Sequence, residues 1–197
     1  MILQTDRADK SEPEGFAFSF IRIFVILGGI MGSNITAAFR NVTAVTPEIL
    51  EKLEIKGLIL DLDNTLTTHD NPVPGEGVLE WLDLMKKSGI KLMIVSNNHP
   101  PRVKPFADML GLEFVSEGKK PLTKGFREAL DKMGLPKKSV AAVGDQIYTD
   151  VLGAMLFGIK MLYVKPIEHE KTAFFKFKRK CEKPFLPKKY YNEQEKK

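Results

Sequence analysis

The sequence predicts an α/β fold, a Rossmann-like three-layer sandwich around a central parallel sheet of about five strands. Three observations carry this. Apolar runs at 58–60 and 92–95 have the pattern of strands buried on both faces, and further strands are read at 112–115, 140–143 and 160–164. Segments with apolar residues at helical spacing separate them, so strands and helices alternate as right-handed crossovers require. Asp, Ser and Lys residues gather just beyond the strand ends, where open α/β sheets place their ligands.

The 197 residues suffice for one domain with tails, and 43% hydrophobic with 28% charged residues is a globular composition. One cysteine, Cys181, allows no internal disulfide and no thiolate zinc cluster, which points to a reducing compartment. The three histidines do not pair at ligand spacing. The net charge of +5 is uneven: from Lys165 onward eleven basic residues face five acidic ones, so this tail carries +6 on a near-neutral body. Such a tail suggests an anionic partner surface, membrane or nucleic acid.

In chain order, residues 1–14 are polar and patternless, as in a disordered segment. Phe16–Met31 is apolar but contains Arg22 and is shorter than the roughly 20 residues of a spanning helix. Three readings stay open: a marginal anchor, a helix packed on the domain, or an upstream extension ahead of a start at Met31. The organisation expected is therefore an extension over 1–30, a domain over 31–167 and a basic aromatic tail over 168–197. Thr46-Pro47-Glu48 opens a short helix to about Leu53, with proline in the first turn and an acid near the positive end. The first strand, from Leu58 to Leu62, follows, and then a polar loop with Pro72 and Pro74. Val78, Leu79, Leu82 and Met85 mark a helix that Gly89 ends. The strand Leu92–Val95 stops at Ser96-Asn97-Asn98. A helix from about Arg102 to Leu110, a strand over Leu112–Val115 and a helix over Thr123–Met133 come next. The strand Val140–Val143 ends at Gly144-Asp145, and a helix from about Tyr148 to Phe157 leads into the last strand, Lys160–Val164.

The chemistry begins at Asp61-Leu62-Asp63-Asn64-Thr65. Two carboxylates at the tip of a buried strand are costly unless a positive charge sits beside them. A divalent cation meets that need, leaving one carboxylate to attack and the other to move a proton. Ser96, Lys120 in a later loop, and Asp145 with Asp150 stand beyond the following strands. Each has an ordinary reading alone, as a cap, a solvated charge or a turn residue. A parallel sheet, however, brings them all to one edge.

Together these residues resemble the four motifs of the haloacid dehalogenase superfamily of phosphohydrolases. The motifs are Asp61-Leu62-Asp63-Asn64-Thr65, Ser96, Lys120-Pro121, and the GDxxxxD run from Gly144 to Asp150. The resemblance implies that Asp61 is the nucleophile, forming an aspartyl-phosphate, and that Asp63 is the acid and base. Mg²⁺ would be held by Asp61, Asp63 through its backbone carbonyl, and Asp145. Ser96 and Asn97 with the backbone there would grip the phosphoryl oxygens, Lys120 would add positive charge, and Thr65 and Asp150 would support them. The short segments 63–78 and 97–119 leave no room for the family's large cap domain, so the site would be open and suited to a macromolecular or lipid phosphate.

A closer similarity is to the YqeG-like group of small capless phosphatases, carried by Val45-Thr46-Pro47-Glu48-Ile49-Leu50, Ile55 to Asp61, the turn 63–66 and Ser96-Asn97-Asn98. It implies phosphatidylglycerophosphate as substrate, phosphatidylglycerol as product, and a cytoplasmic protein peripheral on the inner membrane face. The segment 172–186 interleaves Phe174, Phe175, Phe177 and Phe185 with basic residues, as a segment meeting anionic lipid does; a helix packed on the domain fits it equally. Two other functions stay open: a soluble phosphatase for a sugar or nucleotide phosphate, and an RNA- or ribosome-binding protein with an unused site.

Overall fold

The computed structural model describes residues 34–169 and 172–191. The apolar stretch 16–31 and the extension before it lie outside the described residues.

Six strands form one all-parallel sheet: β1 (Ala37–Phe39), β2 (Gly57–Leu60), β3 (Lys91–Val95), β4 (Glu113–Val115), β5 (Val140–Gly144) and β6 (Lys160–Val164). Their order is β1-β6-β5-β2-β3-β4. The five expected strands are all present. The sixth, β1, is three residues of Ala-Ala-Phe, too short to show a period, and it is held at the edge by register with β6 (Ala37 opposite Leu162).

Side chains alternate across the sheet and build two cores. Leu58, Leu60, Ile94, Ala141, Val143, Leu162 and Val164 face one side. There they meet α1 (Pro47–Lys52), α2 (Val78–Lys87) and α3 (Pro100–Leu110). Ile59, Met93, Val95, Val140, Ala142, Met161 and Tyr163 face the other, against α4 (Lys124–Met133) and α5 (Leu152–Phe157). This is the three-layer arrangement expected. All four residues of β2 are buried, which explains the continuous apolar run that marks it in the sequence.

Two local departures matter for the site. The helix expected from Arg102 starts two residues earlier, at Pro100. Prolines are tolerated in a first turn because the N–H they lack has no intrahelical partner there, and the earlier start puts Arg102 in that turn. The single helix expected from Tyr148 is instead a π-helical turn over Ile147–Val151 running into α5. Its opening carbonyl, Gln146 O, accepts from Asp150 N–H (3.0 Å) and Val151 N–H (3.2 Å). A sixth helix, α6 (Ala173–Glu182), follows the domain. Among the described residues no helix is long and apolar enough to cross a membrane.

The chain leaves β2 toward β3 on one side, while β5 lies on the other. The carboxyl end of β2 is therefore a topological switch point, where a crevice opens beyond the sheet.

Candidate active site

Asp61 stands at that switch point. Its N–H continues the ladder to Val143 O (2.9 Å), which holds the residue against β5. Asn64 then adopts a left-handed backbone with φ of 63°, a conformation that asparagine tolerates better than most residues. Its N–H donates to Thr67 O (2.6 Å), and its Oδ1 accepts from the main-chain N–H of Glu168 (3.1 Å). The turn of the first motif is thus tied to the segment after β6. Thr67 Oγ1 donates to Val73 O (2.6 Å) and anchors the polar loop 68–77, a flap rather than a cap.

Lys120 joins the motifs. Its Nζ donates to Asp61 Oδ1 (2.5 Å) and Asp150 Oδ1 (2.6 Å), with the lysine side chain only 4% exposed. Burial works against the ammonium, but Asp150 and Asp61 outweigh it and hold its pKa above the ordinary lysine value. Asn97 fixes the main chain of Lys120 from both sides: Nδ2 donates to Lys120 O (2.9 Å), and Oδ1 accepts from Lys120 N–H (2.6 Å). Ser96 is buried, and its Oγ accepts from Asn98 N–H (3.1 Å), so its own proton stays available to a phosphoryl oxygen. Asp150 Oδ2 accepts from Gln146 N–H (3.1 Å). Gly144 makes room for that carboxyl, because a Cβ there would lie 2.5 Å from Asp150 Cγ.

Carboxylate oxygens of Asp61, Asp145 and Asp150 lie within 4.8 Å of one another. Asp145 is fully buried, and its Oδ1 has no hydrogen-bond partner. A buried carboxylate oxygen in that state is costly unless a cation takes it. Burial pushes Asp61 up to about 6 despite Lys120, and it pushes Asp145 well above the usual carboxylate range despite Arg179. Among the described residues, and counted as ionised, Asp61, Asp63, Asp145, Asp150 and Glu182 face Lys120, Arg102 and Arg179, leaving two negative charges in excess. All donors are oxygen, and the excess equals the charge of one hard divalent cation, so the residues fit one.

The carboxylate of Asp63 is held apart from this cluster. It accepts from Asn98 Nδ2 and from Arg102 Nη2 (2.8 Å). Arg102 also donates to Asn71 O (3.1 Å) in the flap and lies over the Phe106 ring at 5.5 Å. Asp63 and Asp61 are neighbours in sequence with separate environments, one bridged to neutral amide and arginine, the other to lysine. The third converging carboxylate is Asp150, whereas the part expected of Asp63 in metal binding was its main-chain carbonyl. Thr65 is buried, and its Oγ1 has no partner.

Sequence reasoning placed none of Asn98, Arg102, Arg179 and Glu182 among the site residues. Arg102 follows the Ser96-Asn97-Asn98 stretch by one turn, a signal hidden by placing the helix start on it. Arg179 comes from α6. Its Nη2 pairs with Asp145 Oδ2, and its Nη1 donates to Asp145 O (2.8 Å) and pairs with Glu182 Oε2 (3.0 Å). Glu182 Oε1 accepts from Tyr148 N–H (3.4 Å), Tyr148 Oη donates to Cys181 O (3.1 Å), and Lys178 Nζ donates to Gln146 Oε1 (2.5 Å). Part of the basic aromatic segment 172–186 is therefore a helix packed on the fourth motif.

The family model for haloacid dehalogenase-like hydrolases matches residues 68–158. The "Probable phosphatase YqeG" of Bacillus subtilis is 40% identical over 147 residues, covering 75% of this chain and 86% of that protein. The "Glyceraldehyde 3-phosphate phosphatase" of Pyrococcus furiosus is 30% identical over 118 residues, 54% of this chain and 48% of that one. Among solved structures, the 4-nitrophenylphosphatase of Thermotoga maritima shares the fold with a TM-score of 0.50 at 15% identity, covering 62% of this chain and 89% of that one. With the four motifs gathered at the carboxyl edge of the sheet, the chain belongs to the haloacid dehalogenase-like hydrolases and is a phosphatase of that family.

Proposed function

We propose that the protein is a Mg²⁺-dependent phosphomonoesterase that works through an aspartyl-phosphate and acts on phosphatidylglycerophosphate to give phosphatidylglycerol. The observation that carries the chemistry is the pair Asp61 and Asp63 in separate environments, the first at the lysine and acidic cluster, the second held by Asn98 and Arg102. Pairs of carboxylates set apart in this way divide into two roles.

Lys120 holds Asp61 Oδ1, which leaves the other oxygen to attack phosphorus in line. A bond forms from Asp61 to phosphorus as the bond from phosphorus to the leaving oxygen breaks. Asp63 gives that oxygen its proton. In the second half Asp63 takes a proton from water, whose oxygen displaces Asp61 and releases phosphate. Ser96 and the main chain at Asn97 hold the phosphoryl oxygens, and Lys120, fixed by the Asn97 side chain, offsets their charge. Asp61, Asp145 and the main-chain carbonyl of Asp63 would hold Mg²⁺, which supplies charge neutralisation at the phosphoryl group when bound.

The lipid substrate is supported by the openness of the site and by its surroundings. Val73 on the flap and Leu122 beside Lys120 are each 61% exposed, and Ile167 after β6 is 44% exposed. Apolar side chains on loops at the edge that carries Asp61 suit a peripheral approach to the inner membrane face. The name of the Pyrococcus furiosus relative favours a second reading, a small soluble phosphate ester.

Phosphate release from phosphatidylglycerophosphate in mixed micelles with Mg²⁺, wild type beside Asp61→Asn, tests the proposal. Release that vanishes in Asp61→Asn and with chelator is the expected result. Release from an aryl phosphate alone would remove the lipid and keep the phosphatase.

A further inference from the structure

A cavity of about 540 Å³ lies between α6 and the segment after β6. Lys176, Arg179, Lys180 and Lys183 line it against Glu168 and Glu182, so positive charge is in excess. Glu182 already pairs with Arg179. Lys176 and Lys180, one turn apart on α6, and Lys183 just after the helix make no ion pair among the described residues.

The cavity adjoins the catalytic edge at two points. Tyr163 in its wall is in register with Gly144, and Arg179 in its wall reaches Asp145, so it borders the fourth motif. Glu168 in its wall donates its N–H to Asn64 of the first-motif turn. The cavity therefore lies beside the edge of the sheet that carries Asp61. There unpaired ammonium groups and the apolar surfaces of Pro166, Tyr163 and Leu186 suit an anionic group carried on a short carbon chain.

We propose that this cavity is a subsite for a second anionic group of the substrate, of the phosphodiester class, engaged by Lys176, Lys180 and Lys183. The inference rests on the phosphomonoesterase reading above and narrows its substrate to molecules that carry a monoester and a diester phosphate together. A lipid headgroup and its deacylated, water-soluble counterpart share that chemistry.

The test uses the full chain with Mg²⁺ and the triple variant Lys176→Ser, Lys180→Ser, Lys183→Ser, all at exposed positions, with folding checked by circular dichroism. Kinetics are read on phosphatidylglycerophosphate in mixed micelles, on deacylated glycerophosphoglycerophosphate, and on 4-nitrophenyl phosphate, which has one anion. The expected result is a KM raised about tenfold on both diester-bearing substrates, well beyond any change on the aryl phosphate, with kcat little altered. Equal changes on all three substrates, or none, overturn the subsite. A change confined to micelles overturns it too, since it reports attraction of α6 to a charged surface. If wild type hydrolyses neither diester-bearing substrate, the lipid reading fails by itself. The subsite is then judged by calorimetric titration with glycerophosphoglycerol, which has only the diester. Binding by wild type that is lost in the triple variant supports it, and absence of binding by wild type ends it.

Discussion

Replacing Asp61 by Asn tests the electrostatic reading of the site apart from catalysis. Burial pushes the Asp61 carboxyl up to about 6 from an ordinary 3.8. The folded state therefore binds the Asp61 proton more tightly than the unfolded chain does. The stability this contributes is fully present below about pH 4 and is lost as pH rises through about 6. From about pH 5 to pH 7.5 the metal-free wild type is expected to lose about 1–2 kcal/mol through this residue. The side chain is 11% exposed, so solvent screening removes little of this. Asp61→Asn cannot ionise, and its metal-free stability is expected to fall less over the same interval by that amount. Urea denaturation of both proteins in chelator, at the two pH values, reads the difference directly. Added Mg²⁺ is expected to stabilise the wild type most above about pH 6, where Asp61 is ionised. Parallel profiles for the two proteins in chelator would refute the claim that Asp61 is held as a costly buried charge.

Asp63→Asn is expected to lower kcat by about 10²- to 10⁴-fold on alkyl phosphates, the range of a lost general acid. The loss is smaller on 4-nitrophenyl phosphate, whose leaving oxygen needs less protonation; equal losses on both would argue against the acid role. Gly144→Ala places a methyl 2.5 Å from Asp150 Cγ. It is expected to cost about 1–3 kcal/mol and to displace the Lys120 partner, so thermal stability and phosphatase rate fall together. Arg179→Ala leaves Glu182 and one side of Asp145 buried without their cation, and denaturation is expected to show a loss of about 3–5 kcal/mol. The double variant Arg179→Ala, Glu182→Gln should recover part of it; a single variant as stable as wild type would show that α6 does not hold the fourth motif.

The parts of this molecule that were legible in the sequence are those with short-range signals. The apolar runs of β2, β3, β5 and β6 and the carboxylates and serine beyond them lie within a few residues of one another, and a parallel sheet sends strand ends to one edge without further instruction. Asp61, Ser96, Lys120, Asp145 and Asp150 could be placed on that basis, and the structure brings them together. What was hidden depends on distance along the chain. β1 is three residues stabilised by pairing with a strand more than a hundred positions away, and no local pattern announces that. The Arg102 contact with Asp63 depends on where a proline-initiated helix begins, a matter of two residues that turns the guanidinium toward the site.

The case of Arg179 shows what composition leaves open here. Its stretch is basic and aromatic, a composition that fits a helix packed on the domain and a surface segment meeting an anion equally. The fourth motif already contains one in Asp145, a fully buried carboxylate 34 residues upstream. Desolvation penalises that charge heavily, and Arg179 meets its Oδ2 from within the chain while Oδ1 keeps no hydrogen-bond partner. Glu182, one turn further along α6, then neutralises the arginine in its turn, so the helix face carrying Arg179 and Glu182 is consumed by the fold. Lys176, Lys180 and Lys183 make no ion pair among the described residues, and it is to these three that the proposed subsite assigns an anion.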